Sequence, residues 1–121
     1  MRQWDGISAV GGLTPEDIRA ICDRIHEAVS PRAIILFGSR ARGTQGDGSD
    51  IDILLEKEYG PSAARFRVTA RAYAALTDLT LDRGMEFDVL TTAPAEASPP
   101  LAERGEVYRD IERDGVVLYA A

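Results

Sequence analysis

Two acidic residues, Asp50 and Asp52, stand two positions apart in the apolar run Ile51, Ile53, Leu54. If this run is a strand, both side chains project from one face, with Cα atoms roughly 6.5 Å apart. No Lys or Arg of the run can neutralise them, so burying both carboxylates requires a compensating cation. Carboxylates without imidazole or thiolate partners favour Mg²⁺ or Mn²⁺ over zinc. The alternative is a solvated edge strand that binds no ion.

A second candidate feature, Gly38-Ser39, follows directly after the apolar run 33–37. Glycine permits close approach of the backbone, and the Ser39 hydroxyl can donate a hydrogen bond to a phosphate oxygen. A helix beginning there would add partial positive charge, and Arg40 and Arg42 would add guanidinium groups. An anion-binding turn ahead of a divalent-metal site is the arrangement that a metal-bound nucleoside triphosphate requires.

These motifs together resemble a known signature. Gly38-Ser39, ten intervening residues and Asp50-Ile51-Asp52 are similar to the GS-x10-DxD pattern of minimal nucleotidyltransferases in the DNA polymerase β superfamily. The runs 36–43, 49–54 and 115–119 also resemble that family, and the likeness covers about residues 14–119. It implies an α/β (α+β) nucleotidyltransferase fold, with a small mixed sheet and helices mainly on one face.

The resemblance also implies a site and a reaction. Asp50, Asp52 and a third carboxylate would hold two Mg²⁺ ions, with Mn²⁺ possible, while Gly38, Ser39 and Arg42 would bind the nucleotide. A hydroxyl would attack the α-phosphorus of ATP, releasing pyrophosphate and receiving AMP. Asp88, in Phe87-Asp88-Val89, matches the third carboxylate. Glu86 shares its strand face, so periodicity alone does not separate the two, and the family pattern favours Asp88.

Stand-alone family members resemble the antitoxins of toxin-antitoxin pairs. That likeness implies a HEPN-domain ribonuclease toxin as partner, with one of its tyrosines as the acceptor of AMP. The open alternatives are a small-molecule transferase of the aminoglycoside-modifying type and a non-catalytic module that neutralises its partner by contact. The cluster Arg65, Arg67 and Arg71 could dock an acidic partner under any of these hypotheses, or could simply be a solvated helix face.

Composition excludes several other classes. The chain has 121 residues with a net charge of -6, which disfavours direct binding to a nucleic-acid backbone. The single Cys22 cannot form an internal disulfide, and the absence of a Cys/His cluster disfavours a zinc site. His26, the only His, lies just off the apolar face of the first predicted helix, which disfavours a Ser-His or Cys-His hydrolytic site. No apolar run approaches the roughly 20 residues that span a bilayer. We therefore expect a cytoplasmic protein with no membrane partner.

The elements that must position the site follow from periodicity and from helix-capping residues. Residues 1–13 are predicted as a loose leader and 14–121 as the nucleotidyltransferase domain. Helices are predicted from Thr14 to Ser30, over 62–78 with Ala63, Phe66, Ala70, Tyr73 and Ala74 facing inward, and over 101–114 with an interruption at Gly105. Strands are predicted at 33–37, 50–55, 85–90 and 116–119, and Gly115 is predicted as a left-handed C-cap.

Overall fold

Five strands form one mixed sheet in a computed structural model that describes all 121 residues. The elements in chain order are β1 (Arg2–Gln3), α1 (Pro15–Val29), β2 (Ala33–Phe37), α2 (Gly38–Arg42), β3 (Ile51–Glu56), α3 (Ser62–Arg83), β4 (Phe87–Thr92), a 3-10 turn (Leu101–Glu103), α4 (Glu106–Asp114) and β5 (Val116–Ala120). The strand order is β1-β5-β2-β3-β4. Strand β2 is antiparallel to β3 and β5, whereas β4 is parallel to β3 and β1 is parallel to β5. The predicted fold class is confirmed.

Helix α1 begins where its capping residues predict. The Asp17 amide donates to Thr14 Oγ1 at 3.1 Å, and the Thr14 amide donates to Asp17 Oδ2 at 3.2 Å, which completes a capping box. The buried residues Ile18, Ile21 and Ile25 then recur at helical spacing. Burying each such isoleucine contributes about 1.5–3 kcal/mol, so this face fixes α1 on the sheet.

The two faces of the sheet are covered unequally. Helices α1 and α3 pack on the larger core, which holds alternate β3 residues Ile51, Ile53 and Leu55. The opposite face holds a smaller core of five buried residues: Ala33, Ile35, Leu54, Leu101 and Ile111. Helices therefore lie mainly on one face, as predicted, and the side chains beside Leu54 are left for the site. No helix has the length and apolar character needed to cross a bilayer.

Helix α3 differs from its prediction in both length and orientation. It continues to Arg83, and its fully buried residues are Ala72, Leu76 and Leu79. Phe66 is 75% exposed and Tyr73 is 40% exposed, so the predicted inward face is wrong. The reason is that α3 carries two apolar stripes, and the stripe containing Leu76 and Leu79 buries more aliphatic surface against α1 and the sheet.

Two smaller predictions are also corrected. Strand β4 lies two residues later than predicted, at Phe87–Thr92. Gly115 has φ -62°, so it is not a left-handed cap. A Cβ at Gly115 would lie 2.5 Å from the Ile111 carbonyl oxygen, so glycine is required there for close packing between α4 and β5.

Residues 1–13, predicted as a loose leader, contribute an edge strand. The Arg2 amide donates to the Gly115 carbonyl and the Trp4 amide to the Val117 carbonyl, both at 2.9 Å. The Trp4 indole donates to the Ser8 carbonyl at 2.8 Å. The segment is thus docked on β5, while the domain boundary at residue 14 stays a prediction.

Glu56, at the end of β3, gives a test of stability against pH. Its side chain is buried and accepts a hydrogen bond from the Ala95 amide at 3.2 Å. Burial raises the pKa of this carboxyl above its ordinary value of 4.5. The folded state therefore binds the proton more tightly than the unfolded chain, and stability falls as pH rises through that window. Above it, the ionised Glu56 destabilises the protein.

We expect Glu56→Gln to melt at a higher temperature than the wild type at pH 7, because the amide oxygen can still accept from Ala95 and no charge is buried. The advantage should vanish below about pH 4, where both states of the wild type are protonated. Thermal melts over a pH series would measure this difference. An advantage that grows on acidification would contradict it.

Candidate active site

Asp52 and Asp88 occupy neighbouring positions on two parallel strands. Asp52 of β3 pairs in register with Asp88 of β4, and on its other side it pairs with Phe37 of β2. Paired residues on adjacent strands share a sheet face, with strands about 4.8 Å apart. Asp50 precedes β3 by one residue and lies two positions before Asp52. The structure thus brings the three predicted carboxylates together at one end of β3 and β4.

The strand register distinguishes Asp88 from Glu86. Glu86 lies ahead of β4, and its carbonyl accepts a hydrogen bond from the Ile51 amide at 2.8 Å. After burial, the charges of Asp88 and Asp50 contribute most to raising the pKa of Asp52, and Glu86 lies outside the register that pairs Asp88 with Asp52. Asp88 is therefore the later-strand carboxylate beside Asp52. Its chemical role remains a prediction.

The Gly38 turn lies directly against the Asp52 side chain. Strand β2 ends at Phe37 and α2 begins at Gly38 with φ +73°, a left-handed conformation that favours glycine. A Cβ on Gly38 would collide with Asp52 Oδ2. The Ser39 hydroxyl makes no hydrogen bond within the protein, although the Ser39 carbonyl accepts from the Thr44 amide. Helix α2 is only five residues long, so a helix dipole contributes little to this turn. The groups that the turn presents are the Ser39 hydroxyl and the adjacent Asp52 carboxylate.

The two arginines of α2 have different roles. Arg40 donates to the Ser49 carbonyl from Nε and Nη2, at 3.1 and 2.8 Å, and to the Gly11 carbonyl from Nη1 at 2.7 Å. These bonds occupy its guanidinium and hold the residue that precedes Asp50. Arg42 is exposed, forms no ion pair and attracts the Asp52 carboxylate. The expectation that Arg40 contacts phosphate is therefore replaced by a structural role, which no local signal in the sequence indicates.

The protein provides little compensation for the negative charge of Asp52. It is half-buried and accepts no hydrogen bond from the protein. Burial raises its pKa first of all, the charges of Asp88 and Asp50 raise it further, and Arg42 and Arg40 oppose the shift. A cation bound here would relieve both the desolvation and the repulsion.

The donor set fits a hard divalent cation. It consists of carboxylate oxygens, with no imidazole or thiolate among the paired residues. No group of three or more His, Cys, Asp or Glu side chains could hold a metal ion by itself. Mg²⁺ normally binds through one or two carboxylates and takes its remaining ligands from water and substrate phosphates. The site therefore suits an ion that arrives with a polyphosphate.

Gly38→Ala tests the contact between the turn and the carboxylate. The substitution forces a left-handed φ on alanine and places its methyl group against Asp52, so we expect a loss of about 1–3 kcal/mol in stability. Nucleotide binding should weaken as well, because Asp52 must move. Denaturant unfolding and calorimetry with an ATP analogue measure the two effects.

Gly43→Ala is the matched control, since Gly43 has a similar φ of +75° but no atom within 4 Å of a Cβ. It should lose stability through strain alone and keep its nucleotide affinity. Equal nucleotide affinities for the two variants would show that the Gly38 contact does not matter for binding.

The comparison with protein families agrees with this geometry. The sequence model of the nucleotidyltransferase domain family matches residues 16–118, so the chain belongs to that family. The matched region runs from α1 to β5 and includes the Gly38 turn and all three carboxylates. No curated protein matches the sequence significantly.

Two solved structures share this fold. One is a toxin-antitoxin complex with AMP-PNP, at 18% sequence identity and a TM-score of 0.56, covering 87% of this chain and 74% of that chain. The other is a mutant of the toxin-antitoxin MntA-HpeT, at 20% identity and a TM-score of 0.55, covering 86% and 73%. At these identities the similarity establishes the fold.

Proposed function

We propose that this chain is a cytoplasmic, Mg²⁺-dependent nucleotidyltransferase that transfers AMP from ATP to a protein hydroxyl. The acceptor in this proposal is a tyrosine of a partner HEPN ribonuclease toxin, which makes the chain an antitoxin and a protein adenylyltransferase. The observation that carries the proposal is the in-register pair Asp52 and Asp88, with Asp52 packed against the Gly38 turn. Membership of the nucleotidyltransferase family supports the same chemistry.

Each site residue has a separate task in this reaction. The Ser39 hydroxyl donates to a phosphate oxygen, and the Arg42 guanidinium balances phosphate charge. Asp50 and Asp52 would hold Mg²⁺, or Mn²⁺, with Asp88 completing the set. Such ions neutralise the phosphate charge and lower the pKa of the attacking hydroxyl.

The proposed transfer is a single displacement at the α-phosphorus of ATP. Asp88 lies on the strand beside Asp52, in position to accept the proton of the attacking hydroxyl. The hydroxyl oxygen forms a bond to the α-phosphorus as the bond from that phosphorus to the bridging oxygen breaks. Pyrophosphate leaves with the bonding electron pair, and AMP remains on the acceptor. Positioning and charge neutralisation account for the catalysis.

The two similar solved structures support a protein as the acceptor. One of those structures contains AMP-PNP, an ATP analogue, and both contain a toxin together with an antitoxin. The net charge of -6 argues against an acceptor that is a long nucleic acid. An ATP-derived group transferred to a protein partner is consistent with both observations.

Incubation with ATP, Mg²⁺ and the protein encoded by the neighbouring gene tests the proposal. Intact-mass spectrometry should show the neighbour heavier by one AMP for each modified residue, and fragmentation should place the addition on tyrosine. Asp50→Asn with Asp52→Asn should prevent the modification. An unmodified neighbour that binds wild type and double variant equally would favour a contact-only antitoxin, and ATP consumption with an aminoglycoside alone would favour a small-molecule transferase.

A further inference from the structure

An apolar stripe on the outer side of α3 is left uncovered. Phe66, Ala70, Tyr73 and Thr77 follow the spacing i, i+4, i+7 and i+11, which places them on one side of the helix. All four are exposed, and Phe66 shows 75% of its surface. A continuous exposed stripe that includes two aromatic rings is typical of a surface that binds another protein.

Phe66 borders a groove along β4, the strand that carries Asp88. The groove, of about 350 Å³, lies between the first half of α3, strand β4 and Tyr108 of α4. Leu90 lines it and stands two residues after Asp88 on the same strand face, roughly 6.5 Å away along β4. A group bound against Leu90 therefore lies two strand residues from Asp88.

The edge of β4 along this groove is already occupied by side chains of α3. The Val89 amide donates to the Tyr73 hydroxyl at 2.8 Å, and the hydroxyls of Thr69 and Thr91 are 2.7 Å apart. The Tyr73 hydroxyl thus occupies one of the backbone donors that an added strand would use. This contact favours a partner that docks through side chains.

Unpaired positive charge flanks the stripe. Arg65, Arg67 and Arg71 are exposed and form no ion pair, whereas Arg24 and Arg83 pair with Asp78 and Asp17. Residues 62–77 contain no Asp or Glu. At about 100° per residue, Arg65 lies on one side of Phe66, and Arg67 and Arg71 lie on the other. A local charge of +3 on a chain of net charge -6 complements an acidic partner surface.

We infer that the α3–β4 groove is the docking site for the acceptor protein. The docked surface has an apolar centre that covers Phe66 and Tyr108 and an acidic edge that meets Arg65, the arginine that lines the groove. It delivers its hydroxyl past Leu90 to Asp88. This inference rests on the proposed function, since it concerns the acceptor of the transfer. It adds the face of approach and the chemistry of the recognised surface.

Calorimetric binding of the neighbouring-gene protein, measured without ATP, tests the docking site separately from catalysis. Phe66→Ala and Arg65→Glu, which both change residues that line the groove, should each weaken binding by about tenfold or more. Leu81→Ala removes a 78% exposed side chain from the far end of the same helix, and Arg19→Glu changes one exposed charge on α1. Both controls should bind as the wild type does.

The transfer assay supplies a second readout. The docking variants should raise KM for the neighbour protein and leave the affinity for Mg²⁺ with AMP-PNP unchanged. If the neighbour protein binds the wild type and all variants equally, or binds none of them, the docking site is overturned whether or not AMP is transferred. Binding lost in the docking variants without any transfer by the wild type would support the docking site and overturn the proposed function. A change in the chain's own oligomeric state on Phe66→Ala would instead assign the groove to self-association.

Discussion

Replacing Asp50 and Asp52 together by Asn is expected to abolish Mg²⁺-dependent nucleotide binding and to reduce transfer by more than about a thousandfold. Asp52 lies beside the Gly38 turn and accepts no hydrogen bond from the protein, so its carboxylate is free to bind the cation of a metal-bound triphosphate. Asparagine keeps the side-chain shape and removes the charge. Calorimetry with AMP-PNP, with and without Mg²⁺, measures the binding effect.

Stability provides the control for this variant. Burial, Asp88 and Asp50 all raise the pKa of Asp52, so the ionised residue destabilises the ligand-free fold. The double variant should therefore melt at or above the melting temperature of the wild type. In that case its loss of nucleotide binding does not come from unfolding. If Mg²⁺ makes no difference to wild-type affinity, or if the double variant binds equally well with the metal, the metal site is wrong.

Asp88→Asn is expected to reduce transfer by about 10²–10⁴-fold while leaving most of the nucleotide affinity. Asp88 pairs with Asp52 across β3 and β4, where we propose that it accepts a proton from the incoming hydroxyl, whereas the site proposed for the triphosphate is the Gly38 turn. Single-turnover transfer and AMP-PNP calorimetry separate these two quantities.

Glu86→Gln is the matched control, because it also removes one negative charge from the same stretch of chain. Glu86 precedes β4 and lies outside the register that pairs Asp88 with Asp52, so this variant should retain most of its transfer rate. The reverse ranking of the two variants would assign the third carboxylate to Glu86.

The local parts of the site could be predicted from the sequence because short-range spacing determines them. Asp50 and Asp52 share a face through the strand period of two, and the Thr14 box starts α1 by hydrogen bonds within one turn. The break from β2 to the Gly38 turn likewise follows from one apolar run and the glycine after it.

Features that depend on distant parts of the chain could not be predicted in this way. The choice between Asp88 and Glu86 required the register between β3 and β4, which residues 36 positions apart determine. Arg40 is held by the carbonyls of Gly11 and Ser49, which any residue could supply. The two-residue strand β1 is too short to show an alternating pattern.

Helix α3 shows a different limit, namely ambiguity within one helix. Its two apolar stripes both satisfy helical periodicity, and the helix pattern alone does not say which one faces the core. The stripe with Leu76 and Leu79 became the core, and the stripe with Phe66 and Tyr73 stayed outside. The stripe that the helix pattern placed in the core is therefore the exposed surface that we propose for the acceptor.

The most direct test of the central claim follows the two ends of ATP separately. The chain, Mg²⁺ and the neighbouring-gene protein are incubated with ATP labelled at the α-phosphorus or at the γ-phosphorus, and the protein and the released phosphates are counted. Nucleotidyl transfer should place the α label on the neighbour protein and release the γ label entirely as pyrophosphate, one for each modified residue. Two results would contradict nucleotidyl transfer. One is the γ label on the neighbour protein, and the other is a neighbour protein that carries neither label while no pyrophosphate forms.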